Sequence, residues 1–251
     1  MFSQPSIIIK NLYKQFGNIS VTKGVNLEVP FGKMTILLGR SGEGKSVLLK
    51  QIVGLISPTS GSIIIEGVDI TTLSEDELET HFISVGYVFQ FAALLDSLTV
   101  FENIGITLIE NDVSEQQILK IVKEKLALVH LDESLLSRYP GEISGGQKKR
   151  VGVARTLVSE PKIIFYDEPT TGLDPITAGA IRELIFSMQK ESKERTTVVV
   201  SHDLELLQYA DYAALLHDGK IQFFGPASEV FESNNPYIYQ FVRGLQEGPI
   251  K

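Results

Sequence analysis

The chain has 251 residues, 43% of them apolar and 22% charged, with no cysteine and a formal net charge of −8. That length buries a substantial core, as one large domain or a domain with a subdomain. The lack of cysteine excludes disulfides and thiolate metal sites and fits a reducing compartment. The acidic balance argues against nucleic acid as the main partner. No apolar run approaches the roughly 20 residues needed to span a bilayer, and Met1-Phe-Ser-Gln-Pro lacks the basic-then-apolar order of a secretion leader.

Residues 6–9 and 25–29 read as short strands. Residues 33–38 read as a buried strand running into Gly39-Arg40-Ser41-Gly42-Glu43-Gly44-Lys45-Ser46, which fills every fixed position of GxxxxGK[ST]. Glycines let backbone N–H groups approach anionic oxygens, a lysine reaches the β- and γ-phosphates, and a hydroxyl holds Mg²⁺. The helix expected over 47–53, opening at Val47, turns its positive end toward those phosphates. This stretch predicts a nucleoside triphosphate site. The glycine-bounded run 61–67 adds a strand, suggesting a small, partly antiparallel sheet beside the site.

From 74 to 159 the pattern turns mainly helical. Residues 114–129 set Ile118, Ile121, Val122, Leu126 and Val129 on one face, with Ser114 as N-cap and Gln117 completing a capping box. Ile143-Ser144-Gly145-Gly146-Gln147 frees backbone N–H groups and a hydroxyl at a helix start, a second phosphate-binding surface. The following helix packs Val151, Ala154, Leu157 and Val158, while Lys148, Lys149 and Arg150 read as a solvated basic face. Residues 163–166 form a buried strand ending in two carboxylates. Asp167 suits Mg²⁺ or its water shell, and Glu168 suits orienting or deprotonating a water that attacks the γ-phosphate. A second β-branched run, 196–200, points to a parallel sheet covered on both faces. Asp218-Gly219 signals a hairpin between 213–216 and 221–224. Residues 235–251 read as a short helix followed by a tail.

The phosphate loop, Ile-Ser-Gly-Gly-Gln, Tyr-Asp-Glu-Pro and Ser201-His202-Asp203 occur in the order of the ATP-binding-cassette (ABC) nucleotide-binding domains, which the chain resembles over nearly its whole length. The resemblance implies an α/β fold of the P-loop NTPase class with a mainly parallel core sheet, an antiparallel β subdomain and an inserted helical subdomain. It implies a single ATPase domain over 1–251, with the helical subdomain at approximately 92–158 and a C-terminal tail at approximately 235–251. ATP and Mg²⁺ are the implied cofactors and ATP hydrolysis the implied activity. Carried over by position, Phe16 resembles the aromatic that stacks on adenine; Tyr13 is the fallback, and a core aromatic on an edge strand is the plain alternative. Gln90 resembles the glutamine that touches Mg²⁺ and the attacking water, and His202 the histidine that contacts the γ-phosphate. Glu168, His202 and Gln90 form the implied catalytic set, and Ser46, Gln90 and Asp167 the metal set. Residues 170–174, ending at Asp174, resemble the loop between the two nucleotide sites. In this family Ser144, Gly145, Gly146 and Gln147 of one copy cap ATP held by the phosphate loop of the other, which implies a homodimer. Glu43 stands where many relatives have a small or uncharged residue. Repulsion from phosphate predicts that its carboxylate points outward.

Residues 91–103, together with 148–155, 172–177 and 240–249, are similar to ATPases of the Mla/Mce lipid-transport systems. That resemblance implies phospholipid transport across or between cell-envelope membranes. It implies a transmembrane permease and an MCE-domain lipid-binding protein as partners, and leaves room for a small regulatory subunit. The expected location is the cytoplasmic face of the inner (plasma) membrane, held there by the permease. Residues 91–95 read equally as exposed surface for a permease helix or as internal packing. The alternatives are an ABC ATPase for another substrate, such as amino acids, metals or drugs, and, remotely, a non-transport ABC protein acting on nucleic acid or ribosomes.

Overall fold

The computed structural model describes residues 5–82 and 84–251; residues 1–4, where a leader was argued against, lie outside them. In chain order the elements are β1 (Ile7–Phe16), β2 (Ile19–Val29), β3 (Met34–Leu38), α1 (Lys45–Ile52), β4 (Ser60–Ile65), β5 (Val68–Asp69), α2 (Glu75–Phe82) and β6 (Val85–Val88). Then come α3 (Val100–Glu110), α4 (Glu115–Leu128), α5 (Gly145–Leu157), β7 (Ile163–Asp167), α6 (Pro175–Glu191), β8 (Thr196–Val200), β9 (Tyr212–His217), β10 (Lys220–Pro226) and α7 (Pro236–Arg243). A four-stranded antiparallel sheet runs β2-β1-β4-β5, and a six-stranded sheet runs β10-β9-β3-β8-β7-β6. The larger sheet is parallel except where β10 returns beside β9. This is the mainly parallel sheet and the antiparallel sheet that the sequence implied.

Every residue of β3, β7 and β8 is buried, because both faces of these strands are covered. Strand alternation divides them between two cores. Met34, Ile36 and Leu38 pack with Ile104, Val122, Val151, Ile181 and Ile238 from the helices, whereas Leu37 and Val200 pack with Leu48 and the antiparallel sheet. Register then places the site. Leu37 pairs with Val200, Val200 with Asp167, and Val88 with Tyr166, so the loops after β3, β6, β7 and β8 all leave one edge. In open parallel sheets ligands bind at that carboxyl edge.

β6 lies in the region read as mainly helical, where no strand was expected. It is four residues long and interrupted by Gly86, a poor strand signal; a Cβ there would sit 2.5 Å from Thr156 of α5. The capping box at Ser114 does not form: the Ser114 hydroxyl lies 3.0 Å from the Gln117 side-chain oxygen and caps no backbone N–H. Thr99 and Glu102 make a full box instead. The hairpin forms as expected, with Asp218 and Gly219 at φ 47° and 70°, the left-handed pair that a tight β-turn of this kind demands. After α7 the chain folds back. Gln240 exchanges hydrogen bonds with the backbone of Ile250, and Arg40 donates to the Lys251 carbonyl at 2.6 Å.

The segment 91–95 splits between its two readings: Phe91 is 83% exposed and Leu95 46%, while Ala92 is buried. Fully buried Asn103 fixes it. Its amide oxygen accepts from Leu95 N at 2.8 Å, and its nitrogen donates to the carbonyls of Leu95, Leu98 and Thr99 at 2.9–3.0 Å. Asn103→Ala takes the side-chain partner from Leu95 N and Leu98 O, while the carbonyls of Leu95 and Thr99 keep backbone donors. It is expected to cost about 2 kcal/mol, seen as a lower urea midpoint at unchanged slope. An unchanged midpoint would show that water replaces the amide without loss.

Candidate active site

At the carboxyl edge of the sheet lies a cleft of about 720 Å³ whose wall includes Arg40, Ser41, Lys45, Gln90, Glu168 and His202. The loop between β3 and α1 forms its floor. Gly44 sits at φ 91°, and a Cβ there would lie 2.6 Å from Val21 on β2, so only glycine lets the loop pack this closely. Gly42, Gly44, Ser46 and Val47 line the cleft, with α1 opening behind them and no acidic residue in its first turn to quench its positive end.

Lys45 is buried. Its ammonium donates to the carbonyls of Gly39 at 2.9 Å and Arg40 at 3.0 Å and lies 3.4 Å from a Glu168 oxygen. On the next strand but one, Ser46 Oγ donates to Asp167 Oδ1 and Tyr87 Oη to Asp167 Oδ2, each at 3.0 Å. Burial first, then the charge of Asp167, raise the Tyr87 phenol far above its ordinary range, so it remains a donor. Hydroxyl, carboxylate and the nearby Gln90 amide form a set of hard oxygen donors. Among the described residues no three His, Cys, Asp or Glu side chains form a metal cluster. A single carboxylate with a hydroxyl fits Mg²⁺, which keeps waters and phosphate oxygens in its shell.

Glu168 holds φ 48°, and its backbone N–H donates to Val200 O at 2.9 Å. Its Oε2 meets Thr171 Oγ1 at 3.0 Å and His202 Nδ1 at 2.9 Å. His202 leaves the end of β8 and remains more than half exposed. Its neighbour Asp203 accepts from Arg182 at 2.8 Å and Thr170 at 3.2 Å, which ties the loop after β8 to α6 and to the loop after β7.

The remaining sequence candidates lie elsewhere. Ser144 and Gln147 cap the start of α5 reciprocally, and with Gly145 and Gly146 they stand outside this cleft. Asp174 caps α6, accepting from Ile176 N and Thr177 N at 3.1 Å; these hydrogen bonds, Thr177's first, hold its carboxyl below the usual range. Phe16 ends β1 with 46% of its surface exposed and Lys14 over its ring, and Val21 occupies the adjacent cleft wall. Glu43 turns away from the cleft, as expected, but into the β9–β10 turn rather than to solvent, with its side chain only 16% exposed. It accepts from Asp218 N at 2.8 Å and lies 2.8 Å from His217 Nδ1, which fastens the phosphate loop to the β9–β10 turn.

One reading is corrected. Lys149 is not on a solvated face: it is buried, and its ammonium donates to the carbonyls of Pro169 at 2.8 Å and Thr171 at 2.7 Å, with Glu168 O at 3.5 Å. Burial lowers its pKa, opposed by the charge of Glu168. The sequence reading missed Tyr87, Thr171 and Lys149 as members of this network. The signal for Lys149 was its i,i+4 spacing from buried Val153.

Residues 22–171 match the family model described as ABC transporter. The chain is 40% identical over 249 residues to the probable ribonucleotide transport ATP-binding protein mkl of Mycobacterium tuberculosis, covering 98% of this chain and 68% of that protein. It is 37% identical over 251 residues to the intermembrane phospholipid transport system ATP-binding protein MlaF of Haemophilus influenzae, covering 99% of this chain and 94% of that protein. The dimeric post-hydrolysis structure of the ATP-binding cassette MJ0796, bound to ADP and Pi, matches at TM-score 0.81 and 33% identity, over 88% of this chain and 98% of that one.

With Glu43 turned away from the cleft, Glu43→Ala is expected to leave ATP affinity nearly unchanged while costing about 1 kcal/mol of stability. Calorimetric titration with ATP and a thermal melt read the two effects. A large gain in affinity would mean that the carboxylate repels phosphate after all.

Proposed function

This chain belongs to the ABC transporter family as an ATP-binding, ATP-hydrolysing subunit, and on that premise we propose that it powers phospholipid transport across or between cell-envelope membranes. The observation that carries the substrate is the end-to-end similarity to MlaF, a protein named for intermembrane phospholipid transport, over 99% of this chain and 94% of that one. The second reading is an ABC ATPase for a different solute, favoured by the 40% identity to a protein named for ribonucleotide transport. The proposed assembly is a homodimer of this chain with a transmembrane permease, an MCE-domain lipid-binding protein and room for a small regulatory subunit. The exposed Phe91 and Leu95 support a permease seat beside Gln90. No described helix is long and apolar enough to cross a membrane, and we place the chain at the cytoplasmic face of the inner membrane through its permease.

In the proposed mechanism ATP lays its phosphates on the loop from Gly39 to Val47. Lys45 exchanges carbonyl partners for phosphate oxygens, and Phe16 covers the adenine. Ser46, Asp167 and Gln90 would hold Mg²⁺, which would supply positive charge to offset that of the phosphates. Glu168 orients or deprotonates the water, with His202 bridging to the γ-phosphate. The water oxygen bonds the γ-phosphorus as its bond to the bridging oxygen breaks, releasing ADP and phosphate. Ser144 to Gln147 and Asp174 lie outside their own chain's cleft and serve the site of the second copy. ATP thereby closes the pair and hydrolysis opens it, a two-state element for transport.

Glu168→Gln is expected to bind ATP, hydrolyse it roughly 10²–10⁴-fold more slowly, and elute with ATP as a closed dimer. Ordinary turnover would remove Glu168 from this role. The substrate is tested by mild-detergent affinity purification from native membranes, with mass spectrometry of proteins and lipids. Phospholipid with a permease and an MCE-domain protein is the expected result. A soluble solute-binding protein with a lipid-free permease would overturn the lipid assignment.

A further inference from the structure

We propose that Lys149 is a positioning residue for hydrolysis: its buried ammonium locks residues 168–171 so that Glu168 faces the attacking water, and it joins that loop to the helix carrying residues 144–147. The inference rests on Glu168 being the group that prepares the water.

Three observations carry it. Glu168 occupies φ 48°, a left-handed conformation that a non-glycine residue keeps only when its surroundings hold it there. The carbonyls of Pro169 and Thr171 turn inward rather than toward solvent, and inward-facing carbonyls need donors. The Lys149 ammonium meets both, at 2.8 and 2.7 Å, with Glu168 O at 3.5 Å completing its three directions. Thr171 is itself tied to Glu168 Oε2 at 3.0 Å, so holding one end of the loop fixes the carboxylate at the other. Lys149 does not line the cleft and touches no position where substrate would sit; it acts through the backbone of the loop.

The donor comes from α5, little more than one turn after Ser144 caps that helix. The segment proposed to engage nucleotide on the second copy and the loop bearing this chain's own Glu168 are therefore fastened to one rigid element. Seating residues 144–147 against a nucleotide is a displacement that Lys149 passes to Glu168 without leaving the chain.

The test uses the full chain and three variants: Lys149→Met, which keeps the apolar stem and removes the donors, Glu168→Gln, and the two together. ATP affinity by titration and hydrolysis by single turnover are read for each, alongside a thermal melt. Lys149→Met is expected to hold ATP with nearly wild-type affinity and hydrolyse it about 10²-fold more slowly, the scale of a misplaced catalytic group. Placed on Glu168→Gln, it is expected to slow the remaining reaction no further, because an effect exerted through Glu168 is not lost twice. Wild-type turnover by Lys149→Met, or the same loss repeated on Glu168→Gln, overturns the proposal. Should Lys149→Met fail to fold, Lys149→Gln, which retains two donors, is read by the same comparison. Ordinary turnover by Glu168→Gln alone removes the premise, a result separate from a normal Lys149→Met beside an impaired Glu168→Gln.

Discussion

Lys45 carries a buried positive charge in the gap between two loops, and its compensation organises the site. A buried ammonium is costly unless oxygens surround it. Here two carbonyls come from its own loop and a carboxylate from the loop after β7. The two halves of the cleft are thus drawn together across β8 by one cation. A phosphate entering the cleft offers the same cation better partners, so in the proposed mechanism Glu168, already 2.9 Å from His202, is released from Lys45 toward water by the arrival of the substrate it is to act on.

The rest of the fold brings those partners within reach. Because β3, β8 and β7 are parallel neighbours, their carboxyl ends fall in one row, and three loops distant in sequence converge at Leu37, Val200 and Asp167. Secondary ties then hold each loop in place. Glu43 fastens the phosphate loop to the β9–β10 turn, Arg182 and Thr170 hold Asp203 beside His202, and Tyr87 and Ser46 fix both oxygens of Asp167. Little of this depends on surface ion pairs; most contacts are hydrogen bonds from partly buried side chains, where competition from water is weakest.

What was legible in the sequence is what local pattern determines. The phosphate loop has fixed spacing, the strands at 163–166 and 196–200 are runs dense in β-branched or apolar residues, and Asp218-Gly219 has turn chemistry of its own. What was not legible depends on partners far along the chain. Gly86 makes β6 look broken until α5 is packed on it. Lys149, within Lys-Lys-Arg, reads as solvated because three adjacent charges look like surface; only the closure of α5 on the loop after β7 gives the middle one three carbonyls to satisfy. Ser114 and Thr99 show the same limit on a smaller scale. Both begin a helix with a polar residue three positions on, and side-chain geometry alone decided which made the box.

α5 is where these long-range contacts meet. Its first turn carries Ser144 to Gln147, its second holds the Glu168 loop through Lys149, and its last holds the segment after Gln90. There Arg155 donates to the carbonyls of Ala92 at 2.8 Å and Ala93 at 2.7 Å, and these alanines sit at φ 60° and 47°. Gly152 lets the two backbones approach, since a Cβ would lie 3.2 Å from Ala92 O. A helix of thirteen residues is roughly 20 Å long and stiff over that length. The proposed nucleotide contact at one end, the proposed catalytic carboxylate in the middle and the exposed Phe91 surface at the other are therefore mechanically joined. None of them shifts far without straining a charged hydrogen bond to the same helix.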